Sequence, residues 1–381
     1  MDLKNTGIRV PFHQLYFGEE EVKAAGDALK DSISSGGKYT RQVEATLRDV
    51  TSAPYAFFVT SGTHALELAL MALGIGPGDE VVLPSYTFTS TATCIVRQGA
   101  TPVFADIDAQ TWNLDPQDVV RVLSSKTRAV IPVHYAGHPV PFDALKSVVS
   151  ANTFIIEDAA HAFGAAYRGQ PVGSLGDAGC FSFHSTKMVT CGEGGALLLK
   201  NESVAQKAEF MREKGTNRTQ FLRREVAYYT WVSEGSSFVA SDLLAAVLQE
   251  QFKKMDFIAS RYRSLWDQYL HALEPLAKKE RLTLPVASPH VRSSCYIFAI
   301  LVPPAHRSHL KNALLEHGIE TNFHYIPLHS SPYWLRQCHH QQRALPVTDY
   351  VSQSILRLPL YPGLTDLQQQ FVIESLYDVL C

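Results

Sequence analysis

Phe154-Ile155-Ile156-Glu157-Asp158-Ala159-Ala160-His161 is the stretch that decides the architecture. A short apolar run ends in two carboxylates, which reads as a buried strand whose carboxyl end emerges where open α/β sheets bind ligands. Further β-rich runs surround it: Val81-Val82-Leu83, Pro102-Val103-Phe104, Ala129-Val130-Ile131-Pro132-Val133 and Gly179-Cys180-Phe181-Ser182-Phe183. Amphipathic segments lie between them, so crossover helices and a mainly parallel sheet are expected. One such segment, Gly62 to Leu73, repeats apolar residues at helical spacing and stops before Gly74, Gly76, Pro77 and Gly78. Its helix should open near Gly62.

Past about residue 245 the pattern changes. A long helical stretch runs through Tyr269 and Leu270, followed by strand-like Cys295 to Val302 and Thr321 to Tyr325. The expected division is a large α/β domain over 1–245 and a smaller C-terminal α/β domain over 246–381. With 381 residues, 46% hydrophobic and 19% charged, the chain has room for both.

A net charge of −3, with no basic block, argues against broad attraction to nucleic acid or anionic membrane, so any phosphate must be bound locally. Met1 to Phe17 holds no apolar stretch fit for a signal or membrane segment, and a cytoplasmic protein is expected. The cysteines, Cys94, Cys180, Cys191, Cys295, Cys338 and Cys381, lack paired zinc-ligand spacing. Reduced thiols, with neither a metal site nor a disulfide framework, are the expectation.

Three segments carry chemistry. In Thr60-Ser61-Gly62-Thr63-His64, small residues precede a helix, so backbone N–H groups and the Thr63 hydroxyl could hold a phosphate, or Ser61 or Thr63 could simply cap the helix. At the strand end, Asp158 could keep a pyridine nitrogen protonated while His161 contacts a ring; alternatively Asp158 caps a turn and His161 is structural. In Phe181-Ser182-Phe183-His184-Ser185-Thr186-Lys187, an aromatic strand ends in hydroxyls and one lysine, with Gly192-Glu193-Gly194-Gly195 close behind. A lysine among small and apolar residues suits an amine that forms a Schiff base beside a phosphate contact.

The order of phosphate turn, strand-end aspartate and post-strand lysine resembles the sugar aminotransferases of the DegT/DnrJ/EryC1/StrS family, from Pro11 through Leu360-Tyr361. The resemblance implies fold-type I with a mainly parallel seven-stranded sheet, and pyridoxal 5′-phosphate (PLP) as cofactor, passing through pyridoxamine 5′-phosphate (PMP). It implies that Lys187 forms the Schiff base and shuttles the proton, that Asp158 pairs with the pyridine nitrogen and that His161 lies near the ring hydroxyl. Ser182 with Gly62, Thr63 and His64 would bind the cofactor phosphate, and Phe88 occupies the position of the ring-stacking aromatic. The resemblance also implies a homodimer with shared active sites. Where many relatives carry an asparagine reaching the partner's cofactor phosphate, this chain has Ser237, a shorter donor.

Several segments resemble the branch that aminates C4 of dTDP-4-keto-6-deoxyglucose with glutamate: Glu213 to Arg218, Tyr229-Thr230-Trp231, Gly235-Ser236-Ser237 and His324 to His329. Lys214, Arg218, His324, Tyr325 and His329 are therefore the expected substrate contacts. The product's galacto or gluco configuration and a 3-keto substrate are left open. Lys187 argues against the dehydratases of this fold, which carry histidine there, and Lys187, Asp158 and Ser182 together argue against a regulatory protein without chemistry.

Overall fold

The computed structural model describes residues 8–31, 33–337 and 343–381; Met1 to Gly7 and Cys338 lie outside the described residues. Seven strands form the main sheet: β1 (Tyr55–Val59), β2 (Glu80–Pro84), β3 (Thr101–Ala105), β4 (Thr127–Val130), β5 (Phe154–Asp158), β6 (Ala178–Ser182) and β7 (Gly195–Leu199). Their order is β1-β7-β6-β5-β4-β2-β3. Only β7 is reversed, pairing antiparallel with β1 and β6. The expected mainly parallel seven-stranded sheet is therefore present, and the apolar runs read from the sequence fall on β2 to β6. The strand interiors are buried, with exposed positions only near the starts of β3 and β4; Val82, Leu83 and Ile156 are wholly inaccessible. Each such side chain contributes roughly 1.5–3 kcal/mol by leaving water.

Strand alternation decides what the two carboxylates of β5 do, because neighbouring side chains point to opposite faces. Glu157 is fully buried on one face. Its Oε1 accepts from the N–H groups of Leu175 and Gly176, both at 2.8 Å, and its Oε2 accepts from Gly173 N at 2.8 Å and His134 Nε2 at 3.0 Å. That knot pins the 173–176 turn to the sheet. Asp158 faces the other way, into the site.

The Gly62–Ala72 helix begins where the sequence suggests. Ser61 caps it, its Oγ accepting from His64 N at 3.1 Å. The cap reading is met by Ser61, which serves one N–H and leaves the first N–H groups of the turn without i−4 carbonyls.

In the C-terminal part, the long helix is Met255–Lys278, and Ala299–Leu301 pairs antiparallel with Ile355–Arg357. Two expectations are corrected. Of Cys295 to Val302 only Ala299–Leu301 is strand, and Thr321 to Tyr325 is irregular backbone, tied by a bridge between Asn322 and Arg357. The hydroxyls of Tyr86 and Tyr135 both donate to the His324 carbonyl, pulling this segment toward the main sheet instead of into a ladder. A boundary at 245/246 would cut the Asp242–Lys253 helix, and the break between helices comes at Lys254. Apolar packing continues across that point, one buried cluster joining Phe163 and Phe252 to Ile258 and Tyr262.

Among the described residues no helix is long and apolar enough to cross a membrane, and no group of His, Cys, Asp and Glu could hold a metal ion. Cys94, Cys180, Cys191 and Cys295 are buried free thiols, whereas Cys381 is exposed.

Candidate active site

A cavity of about 420 Å³ opens at the carboxyl ends of the parallel strands, where the crossover topology leaves room beside the sheet. Gly62, Thr63, Phe88, Asp158, His161, Ser182, Lys187, His324 and Tyr325 all line it. Residues far apart in sequence are thus gathered in one place.

Lys187 sits on the excursion between β6 and the reversed β7. The excursion is laced shut: Phe183 N donates to Gly194 O, Ser185 N to Gly192 O and Lys187 N to His184 O, each at 2.8 Å. From outside, Tyr296 donates its hydroxyl to Thr186 O at 2.6 Å and His13 Nε2 donates to Ser185 O at 3.1 Å. The backbone under the lysine is therefore fixed, and its Nζ lies 5.7 Å from the Tyr296 ring centroid.

Asp158 is almost fully buried and accepts from Thr91 Oγ1 at 2.8 Å and Ala160 N at 3.2 Å. Burial pushes its carboxyl pKa upward, with the Thr91 and Ala160 hydrogen bonds and the Lys187 charge opposing. A carboxylate held this way gains from one further cationic N–H. His161 moves in the opposite sense: burial, reinforced by Lys187 and Arg357, holds its pKa well below the usual histidine value. It is neutral at pH 7. The Tyr325 hydroxyl lies 3.1 Å from His161 Nε2, and His161 Nδ1 is buried without a protein partner. With Tyr325 donating, the ring hydrogen is assigned to Nδ1, leaving a donor for a ligand acceptor.

The helix end completes the cavity. Gly62 is required for close approach: a Cβ there would stand 2.8 Å from Ser182 Cβ. The N–H groups of Gly62 and Thr63, the Ser182 hydroxyl and the hydrogen-bonded pair Thr63 Oγ1 and Ser90 Oγ, 2.7 Å apart, form an anion cradle at the positive helix end. Phe88 is 56% exposed, so its ring is available to a flat ligand.

Other expected site residues stand elsewhere. His64 bonds to Thr60 Oγ1 and packs edge-on against Phe238. Lys214 and Arg218 both face Glu213, at 3.1 and 3.8 Å. His329 bonds to Ser85 Oγ at 2.7 Å and lies 3.4 Å from Asp349. Ser237 is exposed, away from this chain's cavity. Conversely, Thr91, Tyr296 and Arg357 belong to the site and were not singled out from the sequence. Thr87 and Thr91 at helical i,i+4 spacing were the available signal for the first; Arg357, flanked by Leu356 and Leu358, looks like an ordinary strand arginine.

Among the described residues no cation pairs with the buried Asp158 carboxylate and His161 Nδ1 has no partner; with the glycine-dependent helix end these fit PLP, whose ring nitrogen, ring oxygen and phosphate would each meet a complementary group. When bound, PLP supplies an electron sink that no side chain provides. By fold and site the protein is a fold-type I, PLP-dependent aminotransferase.

Residues 16–377 match the DegT/DnrJ/EryC1/StrS aminotransferase family, and the chain belongs to it. The spore coat polysaccharide biosynthesis protein SpsC of Bacillus subtilis is 34% identical over 380 residues, 97% of each chain. Among solved structures, DesV of S. venezuelae superposes with TM-score 0.89 at 31% identity, covering 97% of this chain and 98% of that one. Spr1654 of Streptococcus pneumoniae, solved in its PLP form, gives TM-score 0.90 at 27% identity and covers 98% of both chains.

Proposed function

We propose that the enzyme transfers the amino group of L-glutamate to the C4 keto group of dTDP-4-keto-6-deoxy-D-glucose, giving dTDP-4-amino-4,6-dideoxy-D-galactose for a cell-surface polysaccharide. The observation that carries this reading is the presence of the branch-marking pair His324 and Tyr325 on the wall of the cavity that also holds Lys187. SpsC, by its name, serves polysaccharide synthesis, and Spr1654 is designated a sugar aminotransferase.

In this reading Lys187 Nζ would hold the cofactor, and its free amine would move the proton between carbon centres. Asp158 keeps the ring nitrogen protonated, and its raised pKa is offset once a cation faces it. His161 Nδ1 donates to the ring oxygen; Gly62, Thr63 and Ser182 hold the phosphate; Phe88 covers the ring. His64, whose ring is turned to Thr60 and Phe238, supports the cradle from behind.

Ser237, Lys214, Arg218 and His329 lie outside this chain's cavity, and we assign the first three to the partner subunit's site in a homodimer. The exposed Tyr228, Tyr229 and Trp231 of the neighbouring loop supply apolar surface for that contact. A fully active monomer in sedimentation at assay concentration would contradict the dimer. His329 acts by holding Ser85, at the end of β2.

Incubation with glutamate and dTDP-4-keto-6-deoxyglucose, followed by NMR of the amino sugar, tests the substrate. An axial C4 amine is the galacto product, an equatorial one the gluco sister product, and absence of an amino sugar refutes the assignment.

A further inference from the structure

Three tyrosine rings surround the imidazole of His161, with centroids 5.9 Å away for Tyr135, 5.2 Å for Tyr296 and 6.2 Å for Tyr325. Their hydroxyls have different partners. Tyr135 donates to the His324 carbonyl at 2.9 Å and Tyr296 to the Thr186 carbonyl at 2.6 Å, so neither hydrogen is free for the imidazole. The Tyr325 hydroxyl does reach it, 3.1 Å from Nε2, with the two ring planes within 9° of parallel. Tyr325 is itself held in place: the hydroxyls of Tyr86 and Tyr135 grip the carbonyl just before it, and the Tyr86 ring stands edge-on to its own at 6.0 Å. Its placement is therefore set by the segments that follow β2 and β4, independently of any ligand.

Burial keeps both partners uncharged, raising the Tyr325 pKa and lowering that of His161; Lys187, Arg357 and His324, the charged and titratable groups that bear on His161, push it the same way. Two arrangements of hydrogen then compete. With the imidazole hydrogen on Nε2, the phenol hydrogen has no acceptor among the described residues and Nδ1 is a buried acceptor with nothing to accept. With it on Nδ1, the phenol hydrogen meets Nε2 and a single N–H is left over. The second arrangement leaves one buried group waiting instead of two, and each such group is costly.

We infer that Tyr325 is a positioning residue that acts through His161, its hydroxyl fixing the imidazole in the Nδ1–H form so that a donor always faces the cofactor's ring oxygen. Which nitrogen of a neutral histidine carries the hydrogen is set by the bond that the other nitrogen makes. The partner here is a phenol, which stays a donor across the working pH range. A donor facing the ring oxygen favours its anionic form, so a proton held by the bound cofactor is released at lower pH. An acceptor in that place would do the reverse and repel the oxygen. Tyr325 thus tunes the cofactor from behind the imidazole, a different task from the substrate contact expected from the sequence.

This role rests on His161 facing the ring oxygen, as proposed above, and the two are tested apart without any substrate. In the cofactor-free protein, nitrogen NMR of isotope-labelled histidine, with the His161 signals assigned by their loss in His161→Leu, should show hydrogen on Nδ1 and none on Nε2. Tyr325→Phe keeps the ring, removes the hydroxyl and should give both forms. Tyr296→Phe, whose hydroxyl is engaged elsewhere, should keep the wild-type pattern. With PLP bound, Tyr325→Phe should raise the PLP dissociation constant roughly 3- to 30-fold. It should also bind the proton seen in the cofactor absorbance about tenfold more tightly, moving that titration to higher pH. His161→Leu should match or exceed both effects, and the double variant should stay within about twofold of His161→Leu. Borohydride-fixed PLP on Lys187 shows which variants hold the cofactor in a folded site, and the cofactor-free NMR decides for any that bind it too weakly to titrate. Hydrogen on Nε2 in the wild type, an unchanged pattern in Tyr325→Phe, or a double variant whose losses multiply those of the single ones would each overturn the role of Tyr325. If His161→Leu alters affinity and titration but Tyr325→Phe alters neither, the role of Tyr325 falls and that of His161 stands. If His161→Leu alters neither, both fall.

Discussion

Replacing Gly62 with alanine should loosen the grip on PLP without removing any hydrogen-bonding group. The added Cβ would meet Ser182 Cβ at 2.8 Å and Phe181 O and Ser182 Cα at 3.3 Å. Carbon atoms pack comfortably at about 3.5–4.0 Å, so roughly 1 Å of movement is needed. Neither side yields easily: β6 is paired to β5 and β7, and the helix end is fixed by the Ser61 cap. Overpacking of this kind costs about 1–3 kcal/mol. If the helix turn moves, the cost appears in the cradle, and at about 1.4 kcal/mol per decade the PLP dissociation constant rises roughly 5- to 150-fold. If the strand end yields instead, the same cost appears as lower stability of the PLP-free protein. Titration of the stripped protein with PLP, beside its unfolding midpoint in denaturant, reads both. Gly26→Ala, in the Glu19–Asp31 helix with nothing within 4 Å of the new Cβ, is the control and should gain a few tenths to about 1 kcal/mol. Wild-type PLP affinity together with wild-type stability in Gly62→Ala would refute the close-approach argument.

Other changes test the chemistry and its electrostatics. Lys187→Ala should still take up PLP but lose the borohydride-stable label and slow turnover by about 10²- to 10⁴-fold; normal turnover would remove the lysine from the mechanism. Asp158 has a folded pKa raised above its ordinary 3.8, so its contribution to the PLP-free fold is lost as pH rises through that folded value. Asp158→Asn should therefore raise the unfolding midpoint of the PLP-free protein at pH 7 while lowering transamination, and a lower midpoint would show that the carboxylate is a net structural asset. Burial lowers the His138 pKa from 6.5 to about 4, so the unfolded chain takes up a proton there before the folded one does. Its stabilising contribution is complete above about pH 6.5 and is lost as pH falls toward 4. His138→Gln should flatten that part of the stability profile measured by denaturant unfolding.

The parallel strands β2 to β6 were legible because each is an apolar run bounded by turn residues, and the Asp158 and Lys187 segments because each sits at the end of such a run. β1 and β7 were not singled out. β7 is Gly195-Ala196-Leu197-Leu198-Leu199, without β-branched or aromatic residues, and its local pattern does not distinguish strand from helix. Its reversed direction is a tertiary property. Thr321 to Tyr325 misled in the opposite sense: its aromatic composition suits a strand, but the hydroxyls of Tyr86 and Tyr135, on the segments that follow β2 and β4, claim the His324 carbonyl. Arg357 was invisible for a different reason. A strand arginine is ordinarily solvated, and only the chain's return past Asn322 and Phe12 makes this one part of the cavity wall.

The laced excursion between β6 and β7 bears on timing. With both of its ends in one sheet and its backbone clamped by Tyr296 and His13, Lys187 has four side-chain torsions as its freedom. Such rotations take picoseconds to nanoseconds, whereas loop and domain rearrangements take microseconds or longer. A proton carried on this amine waits for no backbone motion. The slow events of a catalytic cycle are then the exchange of one bulky substrate for another through a shared mouth, and viscosity should affect turnover more than any change that merely stiffens the lysine segment.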